Sequence, residues 1–302
     1  MKTIWVLENI RKDFSFYQRF NILNLIASTS LWRKYHPEDH TVLYCDMPTY
    51  ILLNYLEVLD LWDDVNTDVL EQNSTIDKTV FWAGSKLEVL QTLEEPVTIV
   101  DNDWLPFQSM DKIRTLTDLV YSHDENGIDY YLADHEWYLT ELKKTPIVPE
   151  LFPTTQEAIN VSFLTFNNVD LLKKYSRMSV QLMEEWTEMQ IRDNRLIIYA
   201  EQKLLKQIVN KYKIKHQPLI KEIWLCKNDN WSNQINKLGT WSHEEIWRIF
   251  KHYGPTKRKF KDNEDGYSYE KEVKFLYNCI DAGKIVDVEK LKIKLNKAII
   301  NV

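Results

Sequence analysis

Apolar positions along the chain recur with two periods, and their alternation predicts the architecture. Residues 3–8 (TIWVLE) are a β-branched and aromatic run of the kind that builds a buried strand. Between Phe16 and Tyr35 the apolar positions Phe20, Leu23, Leu25, Ile26 and Leu31 fall at helical spacing, which predicts a helix returning the chain over a sheet. Residues 41–45 read as the second strand, ending at Asp46; residues 48–59 read as a helix, and residues 62–65 lead into another short strand. Residues 81–93 predict a helix with Leu87, Leu90 and Leu93 on one face, stopped by Pro96. The apolar strand Val97-Thr98-Ile99-Val100 follows and runs straight into Asp101-Asn102-Asp103.

Downstream, residues 129–133 and 159–166 are expected as strands of the same sheet, and residues 169–191 and 196–209 as helices. The first of these helices carries Leu171, Leu172, Tyr175, Met178, Leu182 and Met183 at three- and four-residue spacing. From Asp262 an acidic turn is followed by two helices separated near Gly283. Strand–helix–strand alternation of this kind predicts an α/β fold with a mixed, mostly parallel central sheet flanked by helices, and a helical C-terminal extension.

Composition narrows the chemistry. A chain of 302 residues allows one large domain or two modest ones. Only six glycines are present, and neither a GxGxxG loop nor a Walker P-loop occurs. Eleven tryptophans suit a sugar- or base-stacking groove, although core packing is their commoner use. A net charge of −7 counts against a protein dedicated to wrapping nucleic acid, with a local exception in the basic run Lys251 to Lys261. Cys45, Cys226 and Cys279 are odd in number and widely spaced, which excludes a disulfide framework or paired CxxC zinc ligands. The N-terminus reads as a strand rather than a signal peptide, no apolar window reaches 18 residues, and the expected compartment is a reducing cytoplasm.

The acidic triplet is the strongest chemical candidate. In open α/β sheets, ligands gather at the carboxyl ends of strands, where the loops diverge. Two carboxylates there supply hard oxygen ligands for Mn²⁺ or Mg²⁺ and leave positions open for phosphate oxygens. By itself, Asp-x-Asp is most often an exposed turn. A strand followed by Asp-x-Asp also opens haloacid-dehalogenase-type phosphatases, but there the motif sits near the chain start and continues with Thr or Val. Here Trp104-Leu105 follow, a third of the way along.

The wider pattern resembles GT-A (Rossmann-like) glycosyltransferases, the nucleotide-diphospho-sugar transferases with a DXD motif. Ser85-Lys86-Leu87-Glu88-Val89-Leu90, then Pro96, then Asp101-Asn102-Asp103 is similar to that family's K-L-x-x-L … P-x-x-x-D-x-D. Ile159 to Asn168 resembles the post-motif strand N-x-G-x-x-x-F-N bordering the acceptor, with Ser162 in place of glycine. Ala200 to Leu205 is similar to the [DE]-Q-x-x-[LF] helix start. The resemblance spans about residues 3–250. It implies a catalytic domain over residues 1–261, with a donor-binding half to about 110 and an acceptor-side half over 111–261, and an extension over 262–302.

The same resemblance implies roles. Asp103 would bind the metal, and Asp101 would lie against the donor ribose or sugar and share the metal. Asn102 completes the donor motif. Leu7, Glu8, Asn9 and Asp46 would border the base and ribose, with Asp46 equally suited to cap the following helix. Lys86 would reach the donor sugar or a phosphate, or else occupy a solvated helix face. His243 would complete the metal shell, with His252 as second candidate. Lys257, with Arg258 and Lys259, would neutralise the diphosphate or grip an anionic acceptor, or form a solvated loop.

Glu201 with Gln202 is the acidic candidate near the acceptor, a general base if the reaction inverts. A retaining reaction needs no such base, and the resemblance leans that way. The implied activity is transfer of a hexosyl or pentosyl group from a nucleotide-diphosphate sugar, UDP-sugar favoured, to an acceptor hydroxyl. Acceptors open at this point are a glycan, a lipid-linked sugar, a protein and the modified bases of phage DNA. The competing class is a noncatalytic carbohydrate- or protein-binding module on a decayed fold of this type. Oligomeric state is not read from the sequence.

Overall fold

The structure is a computed structural model that describes residues 1–8, 16–126, 140, 157–193, 195–219, 224–225, 250–252 and 269–300. Its elements are β1 (Lys2–Leu7), α1 (Phe16–Tyr35), β2 (His40–Cys45), α2 (Met47–Leu56), β3 (Asp64–Asn66), α3 (Gly84–Thr92), β4 (Val97–Val100), β5 (Trp104–Pro106) and α4 (Asp111–Arg114). There follow β6 (Leu119–Tyr121), β7 (Asp124–Asn126), β8 (Ala158–Ile159), β9 (Phe163–Phe166), α5 (Val169–Glu188) and α6 (Arg195–Ile198). A π-helical segment, Tyr199–Lys203, leads into α7 (Leu204–Lys211), then β10 (His216–Pro218), β11 (Trp224–Leu225), β12 (Phe250–His252), α8 (Tyr269–Gly283) and α9 (Val288–Ile300).

The chain divides into two compact units. The first comprises residues 1–71, 99–111 and 238–302, the second residues 72–98 and 112–237. Strand β4 belongs to both, Val97 and Thr98 to the second and Ile99 and Val100 to the first. The first unit has strand order β4-β1-β2-β3, with β1 to β3 parallel. The second has order β10-β6-β9-β4, with β10 parallel to β6 and β6 antiparallel to β9. The fold class is therefore α/β with a mixed, mostly parallel sheet flanked by helices, as the hydrophobic pattern predicts.

In the first unit α1 is buried nearly all round, because β5 packs on it and α8 crosses it. Its interior polar residues turn inward on the helix: Asn24 Nδ2 donates to the Phe20 carbonyl and Thr29 Oγ1 to that of Leu25. The crossing needs Gly283, since a Cβ there would stand 2.7 Å from the Ser30 carbonyl oxygen, inside van der Waals contact. Trp5, Trp32, Trp104 and Phe250 form a continuous buried aromatic cluster, Trp104 stacking on Phe250 with centroids 4.8 Å apart. For these tryptophans core packing, the commoner use, is what the fold shows.

In the second unit α5 follows an Asn168 cap, whose side chain accepts from the Leu171 amide at 3.0 Å. Its apolar stripe packs against α3. The single strand expected at 159–166 is broken in two. Asn160 Oδ1 accepts from both the Ser162 amide (3.1 Å) and the Ser162 hydroxyl (2.6 Å), closing a turn that competes with strand geometry. β8 thereby joins a separate three-stranded sheet with β7 and β11, and only β9 remains in the central sheet. The strand expected at 129–133 lies outside the described residues.

Candidate functional site

In the first unit the donor candidates sit at strand ends. β1 and β2 pair in parallel with Leu7 opposite Cys45, so Leu7, Glu8 and Asp46 share one edge. Asn102 Nδ2 donates to the Val6 carbonyl at 3.1 Å, which brings the turn after β4 to the same edge. That turn is closed by the Trp104 amide donating to the Asp101 carbonyl at 3.0 Å. Asp103 is buried and Asp101 half-buried. Among the described residues, the buried Asn102 Oδ1 atom has no hydrogen-bond partner.

Ser28 anchors this edge from below. Its hydroxyl accepts from Trp5 Nε1 at 3.0 Å and donates to the Trp104 carbonyl at 2.7 Å, tying α1 to β1 and to the start of β5. A buried serine inside an apolar helix is the sequence signal for such a hub, and sequence reasoning passed over it. Asp46 caps α2, accepting from the Thr49 amide at 3.1 Å. Beside it, burial pushes the Cys45 thiol up to about 12, with Asp46 and Glu71 adding to the effect, so this cysteine is not a thiolate nucleophile at neutral pH.

In the second unit the structure joins two residues that the sequence treats separately. Lys86 on α3 lies 2.6 Å from Glu201 Oε1, and the two side chains are 13% and 9% exposed. The solvated-face reading of Lys86 is therefore replaced by a largely buried ion pair. Glu201 lies within the π-helical segment, which leaves carbonyls out of the α-helical ladder. α5 satisfies two of them: Tyr175 Oη donates to the Glu201 carbonyl at 2.6 Å, and Ser179 Oγ to that of Ala200 at 2.7 Å. Burial pulls the Lys203 ammonium of the same segment down to about 8.

Lys203 carries a pH signature. Between about pH 8 and its ordinary 10.5 the unfolded chain binds a proton that the folded chain lacks, so this group makes stability rise with pH across that window. Below it the penalty is complete, roughly 3 kcal/mol. Lys203→Met is expected to raise stability by that order at pH 7 and to have little effect above pH 10.5. Denaturant midpoints of variant and wild type across this range check it; a gain that stays constant with pH would contradict the assignment.

A further polar cluster escaped the sequence reading. Asn160 Nδ2 donates to Glu125 Oε1 at 2.7 Å, His123 Nε2 lies 3.4 Å from that oxygen, and Lys206 bridges Asp124 at 2.7 Å and Glu157 at 3.3 Å. His123, Asp124 and Glu125 are consecutive polar positions after a buried strand, a signal that the acidic triplet overshadowed. Asn9, His243 and Lys257 lie outside the described residues; His252 falls in β12, which pairs antiparallel with β5. Among the described residues no three His, Cys, Asp or Glu side chains converge on one point that could hold a metal ion. Nor is any described helix long and apolar enough to cross a membrane.

An α/β fold with acidic residues at its strand ends is the class that these observations define. The chain belongs to a family of unknown function (DUF6734), whose profile matches residues 1–261. No curated protein sequence matches it. Among solved structures it is similar to the galactosyltransferase LgtC in complex with donor and acceptor sugar analogs, at 14% identity over 66% of this chain and 70% of that one, with a TM-score of 0.37. It is similar to the glycosyltransferase GlyE of Streptococcus pneumoniae at 8% identity, covering 98% of this chain but 62% of GlyE, with a TM-score of 0.44. Mouse xyloside xylosyltransferase 1 in its apo form matches at 12% identity over 72% and 85% of the two chains, with a TM-score of 0.36.

Proposed function

We propose that the chain is a metal-dependent GT-A glycosyltransferase that moves a sugar from a nucleotide-diphosphate donor, UDP-sugar favoured, to an acceptor hydroxyl. The observation that carries this reading is the placement of Asp101-Asn102-Asp103. The triplet leaves β4 at the edge shared with the carboxyl ends of β1 and β2, held there by the Asn102–Val6 bond. Ligands of parallel α/β sheets bind at such an edge.

The residues fit Mn²⁺ or Mg²⁺. Asp103 and Asp101 offer two carboxylates on one turn, and the orphaned Asn102 Oδ1 offers an acceptor for a ribose hydroxyl or a metal-bound water. Two carboxylates completed by phosphate oxygens and water make a sufficient shell for these cations. When bound, the metal would neutralise the diphosphate as it departs. Leu7, Glu8 and Asp46 would border the nucleotide. Glu201 lies 2.6 Å from Lys86, which suits a residue that holds charge and position; the retaining course is proposed on the family resemblance.

The test is a panel of nucleotide sugars with Mn²⁺, read by calorimetry and by release of the nucleoside diphosphate. Heat with one donor, accompanied by slow metal-dependent hydrolysis, is the expected result. No heat with any donor would sink the reading in favour of a noncatalytic binding module.

A further inference from the structure

Asn24, Ser28 and Thr29 are fully buried polar residues inside α1. A polar side chain in a helix interior can satisfy itself locally, on the carbonyl one turn back. Asn24 and Thr29 do so, bonding to Phe20 and Leu25. Ser28 spends its single hydroxyl hydrogen outside the helix instead, on the Trp104 carbonyl, while the same oxygen accepts from Trp5 Nε1.

Both bonds bear on the acidic turn. Trp104 is the residue after Asp103, and its amide closes the turn on the Asp101 carbonyl. On the other side of Asp103, the Asn102 side chain is held to the Val6 carbonyl. Trp5 and Val6 are neighbours in β1, so one stretch of strand holds the turn twice, directly through Asn102 and by way of Ser28 through Trp104. The backbone that carries Asp103 is thus tied down on both sides. We infer that Ser28 is a positioning residue for the cation proposed at Asp101 and Asp103, acting through the Trp104 carbonyl and not by contact. The inference rests on the metal-dependent reading given above. Groups that orient metal ligands from behind are worth about 10–100-fold in metal affinity.

The experiment is a titration of the full chain with Mn²⁺ in the presence of UDP, followed by the electron paramagnetic resonance signal of the free ion, with a melting curve for each protein. Ser28→Ala is expected to bind Mn²⁺ about tenfold more weakly. Ser28→Thr keeps the hydroxyl and is expected to bind as the wild type does, even where its added methyl lowers the melting point. Thr29→Ala removes a neighbouring bond that stays within the helix, and is expected to melt lower with unchanged affinity. Should Ser28→Ala fail to fold, Ser28→Cys takes its place, because a thiol donates only weakly. A wild type that binds no Mn²⁺ overturns the metal-site reading and this inference with it. If the wild type binds, the inference alone is overturned by any of three results: unchanged affinity in Ser28→Ala or Ser28→Cys, an equal loss in Thr29→Ala, or no rescue in Ser28→Thr.

Discussion

Replacing Asp103 by Asn is expected to remove metal-dependent turnover of the donor, by ~1,000-fold or more, while the protein stays folded. A metal at the departing diphosphate supplies several kcal/mol of charge stabilisation, and each 1.36 kcal/mol is worth tenfold in rate. An amide is a poorer ligand for a hard cation than a carboxylate, so that stabilisation is lost with the charge. Two bonds that close the turn, the Trp104 amide to the Asp101 carbonyl and Asn102 to Val6, are kept in the variant, and an amide fills the space of the carboxylate. Donor hydrolysis measured across a Mn²⁺ titration, with a melting curve beside it, separates the two effects. A variant that keeps wild-type turnover at all Mn²⁺ concentrations removes Asp103 from the site.

The second large effect is expected at the Lys86–Glu201 pair. Side chains 13% and 9% exposed are largely desolvated, so deleting one charge removes a close, poorly solvated partner of the other. Breaking such a pair costs about 3–5 kcal/mol, whereas removing both partners together is often nearly neutral. Glu201→Gln and Lys86→Met are each expected to lower stability by that order, and the double variant to recover most of it. A double-mutant cycle in urea measures the coupling. Additive losses would mean that the two groups do not depend on each other.

What could be read in advance follows from where the information sits. α1, α2, α3 and α5 were legible because each repeats its apolar positions over several turns, and β1, β2 and β4 because each is a compact apolar run. The turn at Asn160–Ser162 was not, since Asn160 acts through its side chain on a residue two positions on while its apolar neighbours continue the strand pattern. The π-helical segment was hidden for a related reason. Residues 196–209 keep helical spacing, and the irregularity depends on Tyr175 and Ser179, more than 20 residues away in sequence. Of the site, the triplet showed because strand and carboxylates are adjacent in sequence. The partner of Lys86 did not, because 115 positions separate it from Glu201 and no local pattern encodes the meeting.

The crossing of α1 by α8 also fixes when the first unit can be completed. Roughly 230 residues of chain lie between these helices, and Ser30 has no Gly283 to meet until nearly all of them have been made. At ~5–20 residues per second, synthesis leaves α1 waiting for its cover on the order of tens of seconds. For that interval α1 has β1 and β5, both made early, to pack on, but not the cover that α8 supplies. The first unit's core therefore closes late in synthesis, later than in a fold held by local contacts.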